Sequence, residues 1–262
     1  MAGNSEEAFR IVKVDGANID ECGLFCLQSK KNTEGYKNKV EWAKERFKEG
    51  LRIRLLMVNE GAKRGFRARG FIEYIPGKYA WRGIDANGYM VIHCMWVVGQ
   101  NRGHGYGSRL LQECLNDAKG MNGVAVVTGR TWLPGPKFFV KHRFEKVDSR
   151  APDAELFAKQ FSNKAPLPRF NAISNDKLAN CGPGITVFKS NQCPYVDGGV
   201  KGMMEAVKQV NLPMRIINVK TCREAQNGVH PYGTFCVLLD GNVLTYRPIG
   251  ARGLLNYLSK RE

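Results

Sequence analysis

Apolar and polar positions follow two rhythms along this chain. Residues 9–14 (FRIVKV) alternate as a strand does, and 52–59 (RIRLLMVN) and 69–75 (RGFIEYI) read as further strands, the last stopped by Pro76. Residues 89–98 (YMVIHCMWVV) form a long apolar run, which predicts a central strand; 124–128 (VAVVT) predict a short buried one. Helical spacing appears at Val40, Ala43 and Phe47, predicting a helix over 36–48 with Gly50 as its stop. Leu110, Leu111, Cys114, Leu115 and Ala118 make one stripe and predict a helix over 106–118. Asp20 is expected to cap a short helix through Leu27. A helix over 137–142 and strands over 144–148 and 155–161 complete this first part.

Residues 162–169 (SNKAPLPR) are polar and broken by proline, and read as a linker running on to Asn180. A second pattern then follows: strand 185–189, helix 196–210, strand 214–220, helix 222–226, strand 234–240, strand 243–247 and helix 250–259. That βαβαββα order suits a small α/β domain. The expected organisation is an N-terminal domain over 1–161, a linker over 162–180 and a C-terminal domain over 181–262, both of α/β (α+β) class.

Composition narrows the function. No apolar run among the 262 residues approaches the ~20 that a membrane helix needs, and the N-terminus lacks a secretory pattern, so a cytoplasmic protein is expected. Forty Lys and Arg against 24 Asp and Glu give a net charge of +16. The excess is spread out: 28 basic against 18 acidic residues up to 165, and 12 against 6 after it. Such a field favours anionic ligands, a phosphorylated cofactor ahead of nucleic acid, because no nucleic-acid motif accompanies it. The eight cysteines are dispersed without paired CxxC motifs. They read as small buried hydrophobes in a reducing compartment, and no metal site is expected.

The most informative segment is VVGQNRGHGYGSRLL, residues 97–111. It follows a strand and opens a helix. Gly103, Gly105 and Gly107 leave the backbone N–H groups unobstructed, and a helix N-terminus adds about half a positive charge. That combination is a diphosphate cradle. A Walker A loop would need a Lys that is missing, and GHGYGS is GxGxG rather than the dinucleotide GxGxxG. A third reading is acetyl-CoA.

Arg102-x-x-Gly105-x-Gly107, followed by Ser108, Leu110 and Leu111, resembles the R/Q-x-x-G-x-G/A motif of the GNAT N-acetyltransferases, over roughly residues 9–161. The resemblance implies a mixed central sheet flanked by helices, and acetyl transfer from acetyl-CoA to an amine. Arg102, Gly103, His104, Gly105, Tyr106, Gly107 and Ser108 would bind the diphosphate. Met95, Trp96, Val97 and Val98 would line the pantetheine arm, with the Val97 N–H polarising the thioester carbonyl. The family's Phe-Tyr-x-Lys-x-Gly-Phe is here Phe138-Phe139-Val140-Lys141-His142-Arg143-Phe144. Phe139 therefore stands where the leaving thiolate's acid would be, and Lys141, His142 or water would have to replace it. His93 is the first candidate for the general base, and Glu73 the second, against a reading of Glu73 as an ordinary outward carboxylate. Cys94 should face away from His93, because strand side chains alternate.

The acceptor site is expected on two loops that carry Tyr79, Trp81, Arg82, Arg130 and Trp132. Arg there would pair with an anionic group on a small-molecule amine. In the C-terminal part, SNQCPYV resembles the CPYC site of glutaredoxin-like, thioredoxin-fold proteins, placing Cys193 at a helix N-terminus, where a thiol pKa falls. Val196 replaces the resolving cysteine. A GNAT domain with such a tail resembles proteins carrying a C-terminal YoaP-type domain. Two alternatives stay open: a CoA-binding sensor with little turnover, and a monothiol redox protein acting through Cys193.

Overall fold

The computed structural model describes residues 8–129, 133–151, 153–173, 178 and 180–259. Its first sheet has seven strands: β1 (Phe9–Val14), β2 (Arg52–Asn59), β3 (Phe66–Pro76), β5 (Tyr89–Val97), β6 (Gly123–Thr128), β7 (Glu145–Arg150) and β8 (Ala154–Gln160), in the order β1-β2-β3-β5-β6-β8-β7. All neighbours are antiparallel except β5 and β6, which pair in parallel only from Tyr89 to Ile92. Beyond Ile92 these two strands part, and the opening lies at the centre of the sheet.

Each face of the sheet is covered. On one, α3 (Tyr106–Asp117) and α4 (Pro136–Lys141) bury Leu110, Leu111, Cys114 and Phe139 against Ile72, Tyr74, Ile92 and Met95. On the other, α2 (Glu34–Phe47) buries Tyr36, Val40, Trp42 and Ala43 against Ile53, Phe71 and Ile75. The predicted helix over 20–27 is only α1 (Ile19–Cys22), because Gly23 at φ +68° turns the chain out of it.

The C-terminal part forms a second, four-stranded sheet, with β10 (Ile185–Lys189), β11 (Met214–Asn218), β12 (Phe235–Leu239) and β13 (Asn242–Thr245) in the order β11-β10-β12-β13. β10 and β11 are parallel and the other pairs antiparallel. Helices α5 (Val196–Gln209) and α7 (Ala251–Leu258) pack on it, and α6 (Cys222–Gln226) is capped by the Thr221 side chain, which accepts from the Glu224 N–H. The stretch expected to be only a linker also holds β9 (Arg169–Phe170), which pairs with β4 (Ile84–Asp85).

The two sheets are held together closely. Gly35 in α2 lies against the Pro194 carbonyl so tightly that a Cβ there would come within 2.1 Å of the oxygen. Gly83 donates its N–H to the Pro231 carbonyl, and the Gln226 amide reaches the carbonyls of Lys78 and Ala80. Among the described residues no helix is long and apolar enough to cross a membrane.

Candidate active site

A groove of about 570 Å³ runs along the end of β5 and the start of α3. Met95, Trp96, Val97, Arg102, Gly103, Gly105, Tyr106, Gly107 and Ser108 line it, so nine of the eleven residues expected at the cofactor come together. Gly105 caps α3 at φ +77° and Gly103 stands at φ +84°, both in the left-handed region that glycine tolerates. A Cβ at either would meet nothing within 4 Å, so the loop backbone faces open space. That fits a cradle for an anion of diphosphate size.

The strand supplies the rest of the groove. Val98 donates its N–H to the Arg69 carbonyl on β3, so alternation along the strand turns the Val97 N–H away from β3, toward the parting with β6. The Arg102 guanidinium bonds to the Val97 carbonyl and lies 4.6 Å over the Trp96 ring. Across the groove, His142 Nε2 is 3.0 Å from Ser108 Oγ. Burial, then Lys141 and Lys159, hold the His142 pKa below its ordinary value. Phe139, at the position that would carry an acidic Tyr, is wholly buried against Phe144; Phe138 and His142 face the groove instead.

A second cavity of about 110 Å³ lies between the two sheets. Glu73, Arg82, His93 and Cys94 line it from the first sheet's part, Lys39 from α2, and Gln192 and Cys193 from the C-terminal part. Glu73 is buried, not outward: it shares a face with Phe71 and Ile75 and is ion-paired to Lys39 at 2.5 Å. Burial opposes its charge, but Lys39 and His93 outweigh that and bring the carboxyl to about 2. His93 Nε2 accepts the Trp81 N–H at 3.0 Å, and burial lowers its pKa to about 4. Neither group is a strong base at neutral pH.

Several expectations are corrected here. Cys94 does not oppose His93: Glu73 pairs with Cys94 and Tyr74 with Ile92, so His93 is the extra residue of a β-bulge and both side chains reach the cavity. Trp81 is core, 1% exposed and edge-on to Trp42 at 5.3 Å. Tyr79 lies half-buried outside both cavities, and Arg82 is buried rather than displayed on a loop. Arg130 and Trp132 lie outside the described residues. The Cys193 thiol is pushed up, not down: burial outweighs the Tyr195 backbone bond. Cys94 is likewise pushed up to about 12. Lys39 and Gln192 were not anticipated. Lys39 carried a signal, since it falls on the stripe of Tyr36, Val40 and Ala43.

The chain is 32% identical over 242 residues to the uncharacterized N-acetyltransferase YoaP of Bacillus subtilis (strain 168), covering 90% of this chain and 92% of that protein. The chain belongs to the GNAT-type N-acetyltransferases. No family model matches it. Among solved structures, this acetyltransferase is similar to a GNAT-family acetyltransferase from Staphylococcus aureus Mu50 at 16% identity, over 59% of this chain and 100% of that one, with a TM-score of 0.44. It is also similar to the PaiA N-acetyltransferase of Thermoplasma acidophilum, solved with coenzyme A, at 14% identity over 59% and 100%, with a TM-score of 0.40.

Proposed function

We propose that this N-acetyltransferase takes its acetyl group from acetyl-CoA and passes it directly to a small-molecule amine. The observation that carries this is the open glycine backbone at Gly103 and Gly105, at the start of α3 and beside the parting of β5 from β6. When bound, acetyl-CoA supplies an acyl group activated as a thioester. The N–H groups of residues 103–108 would hold the diphosphate with the help of the helix end. The Val97 N–H, turned toward the parting of β5 from β6, would be the donor to the thioester carbonyl, a role in which one donor contributes about 3 kcal/mol.

His142, bonded to Ser108 in the groove, would relay a proton from water to the departing thiolate in place of the absent Tyr hydroxyl, since its lowered pKa leaves the ring mostly neutral at pH 7. Glu73 and His93 position the amine rather than strip it of its proton, as their low pKa values require. Residues 1–161 form the acetyltransferase domain, 162–180 the connection, and 181–262 a thioredoxin-like domain. The strand order β11-β10-β12-β13 with its parallel pair supports that last reading. The raised Cys193 thiol speaks against monothiol redox chemistry, which needs a ready thiolate.

The test is chromatographic measurement of CoA released from acetyl-CoA across a panel of amines, including amino acids and polyamines. Amine-dependent release of CoA with a matching N-acetyl product is expected. Binding of acetyl-CoA with no amine-dependent release would contradict transfer and leave a sensor.

A further inference from the structure

The cavity between the two sheets holds an unusual balance of charge. Lys39 and Glu73 cancel as an ion pair. His93, with its pKa at about 4, is neutral at pH 7. The thiols of Cys26, Cys94 and Cys193 are all pushed up by burial and stay protonated. Arg82 remains, 7% exposed, and no carboxylate among the described residues lies within ion-pair distance of it. Its guanidinium bonds only neutral oxygens: the carbonyls of Trp81 and His93, and Gln192 Oε1 at 2.9 Å. A buried cation without a counter-charge of its own is costly, and the described residues around the cavity sum to one net positive charge.

A second observation points the same way. His93 Nδ1, on a ring 1% exposed, makes no close hydrogen bond; its partner is Glu73 Oε1, a long 3.4 Å away. With Nε2 accepting from Trp81, Nδ1 carries the proton and presents it beside Glu73. A buried donor held only by a long contact to a carboxylate, near a buried cation, is a polar frame with room for a further partner. The frame also adjoins the groove. β5 passes from His93 and Cys94 in the cavity to Met95 and Trp96 in the groove, and Leu133 borders both spaces.

We propose that this cavity is the acceptor pocket, that its acceptor is a small primary amine bearing one carboxylate, and that Gln192 is a specificity-determining residue supplied by the C-terminal part. This rests on the acetyl-CoA reading above. The carboxylate pairs with Arg82, and the amine lies at Glu73 and His93. A free amine with one carboxylate carries a single negative charge, which matches the pocket; a phosphate monoester dianion would overshoot it. The ammonium proton goes to water, the amine nitrogen bonds to the acetyl carbon as the carbon–sulfur bond breaks, and the second N–H proton passes by way of water to the departing thiolate, which leaves as CoA. Gln192 makes the polarity possible. Its Oε1 accepts from Arg82 while its Nε2 donates to Glu73 at 3.1 Å, so it bridges the two poles without adding charge. A Glu there would neutralise Arg82 from within.

The experiment measures kcat/KM on the full chain with acetyl-CoA and matched acceptors: standard amino acids, their decarboxylated amines and their carboxamides, with taurine and phosphoethanolamine as alternative anions. At least one amino acid is expected to exceed its decarboxylated and amide partners by 100-fold or more, and to exceed phosphoethanolamine. Gln192→Glu should cut that preference at least tenfold through the acceptor KM, with the acetyl-CoA KM within twofold of wild type. Equal turnover of amines lacking the acid, preference for phosphoethanolamine, or an unchanged preference in Gln192→Glu would overturn the proposal. So would acetyl-CoA binding with no acceleration by any carboxylate-bearing amine. Absence of acetyl-CoA binding would instead remove the reading beneath it. Should Gln192→Glu not fold, the wild-type acceptor series decides alone.

Discussion

Gln192 Nε2 donates to Glu73 Oε1 across 119 residues of chain, tying the first sheet's β3 to the loop ahead of α5. The same carboxylate is paired with Lys39, which is 4% exposed and sits 4.0 Å over the Trp42 ring. Three elements therefore meet on one buried anion. Lys39→Met leaves that anion uncompensated and should destabilise the fold by about 3–5 kcal/mol. Urea unfolding checks this, and the double variant Lys39→Met/Glu73→Gln should recover much of the loss. A single-variant loss under about 1 kcal/mol would show that the pair is not buried as described.

Restoring a Tyr at 139 should not restore an acid. The Phe139 ring is wholly buried among apolar side chains, within 5.5 Å of the Phe144 ring and away from the groove. Phe139→Tyr buries a hydroxyl without a partner, which costs about 1–3 kcal/mol. The expected outcome is a lower melting temperature and a kcat no higher than wild type. A kcat that rises tenfold would mean that this side chain reaches the thioester after all. His142→Phe, by contrast, should lower kcat by about 10²-fold.

Arg143 occupies a position where glycine would be at ease. Its φ is +63°, and its side chain is exposed. A non-glycine residue there costs about 1 kcal/mol or more. Arg143→Gly should therefore stabilise the protein by a few tenths to about 1 kcal/mol, net of glycine's greater freedom in the unfolded chain. Denaturant melts would read this directly, and a loss of stability would contradict it.

Two buried imidazoles set an acid limit. Burial brings His93 to about 4, and burial followed by Arg82 brings His230 to about 3, against 6.5 for a free imidazole. Both folded values are depressed, so the unfolded chain binds more protons as pH falls below 6.5. Stability is full above that value and is lost progressively toward pH 4 and below. Between pH 7 and pH 5 the two together should cost about 4 kcal/mol. Urea midpoints compared at those two pH values check this, and equal midpoints would contradict it.

Much of the fold was legible because most strands keep the two-residue alternation between their bulges. The alternation of Phe71, Glu73 and Ile75 placed them on one face, and that face is buried. The same alternation should have turned Glu73 inward; reading it as an outward carboxylate weighed residue type over position. The cofactor loop was readable because glycines at 103 and 105 are a direct statement about backbone conformation. The His93 bulge was not readable, since an extra residue in one strand shows only against its partner. Trp81 and Arg82 were misplaced for a related reason. Their loop looks exposed until the 230–233 segment closes over it, with a Cβ at Gly233 only 2.9 Å from the Arg82 Cα. The acceptor cavity needed both sheets, and no local pattern encodes that meeting.

The central claim is that the Gly103–Gly105 backbone binds acetyl-CoA. Isothermal titration of the full chain tests it most directly, run on wild type and on Gly105→Val, whose φ of +77° a branched side chain resists. One site per chain with micromolar affinity is predicted, weakened at least tenfold in the variant. No heat with acetyl-CoA at tens of micromolar, or equal affinity in the two proteins, would contradict the account.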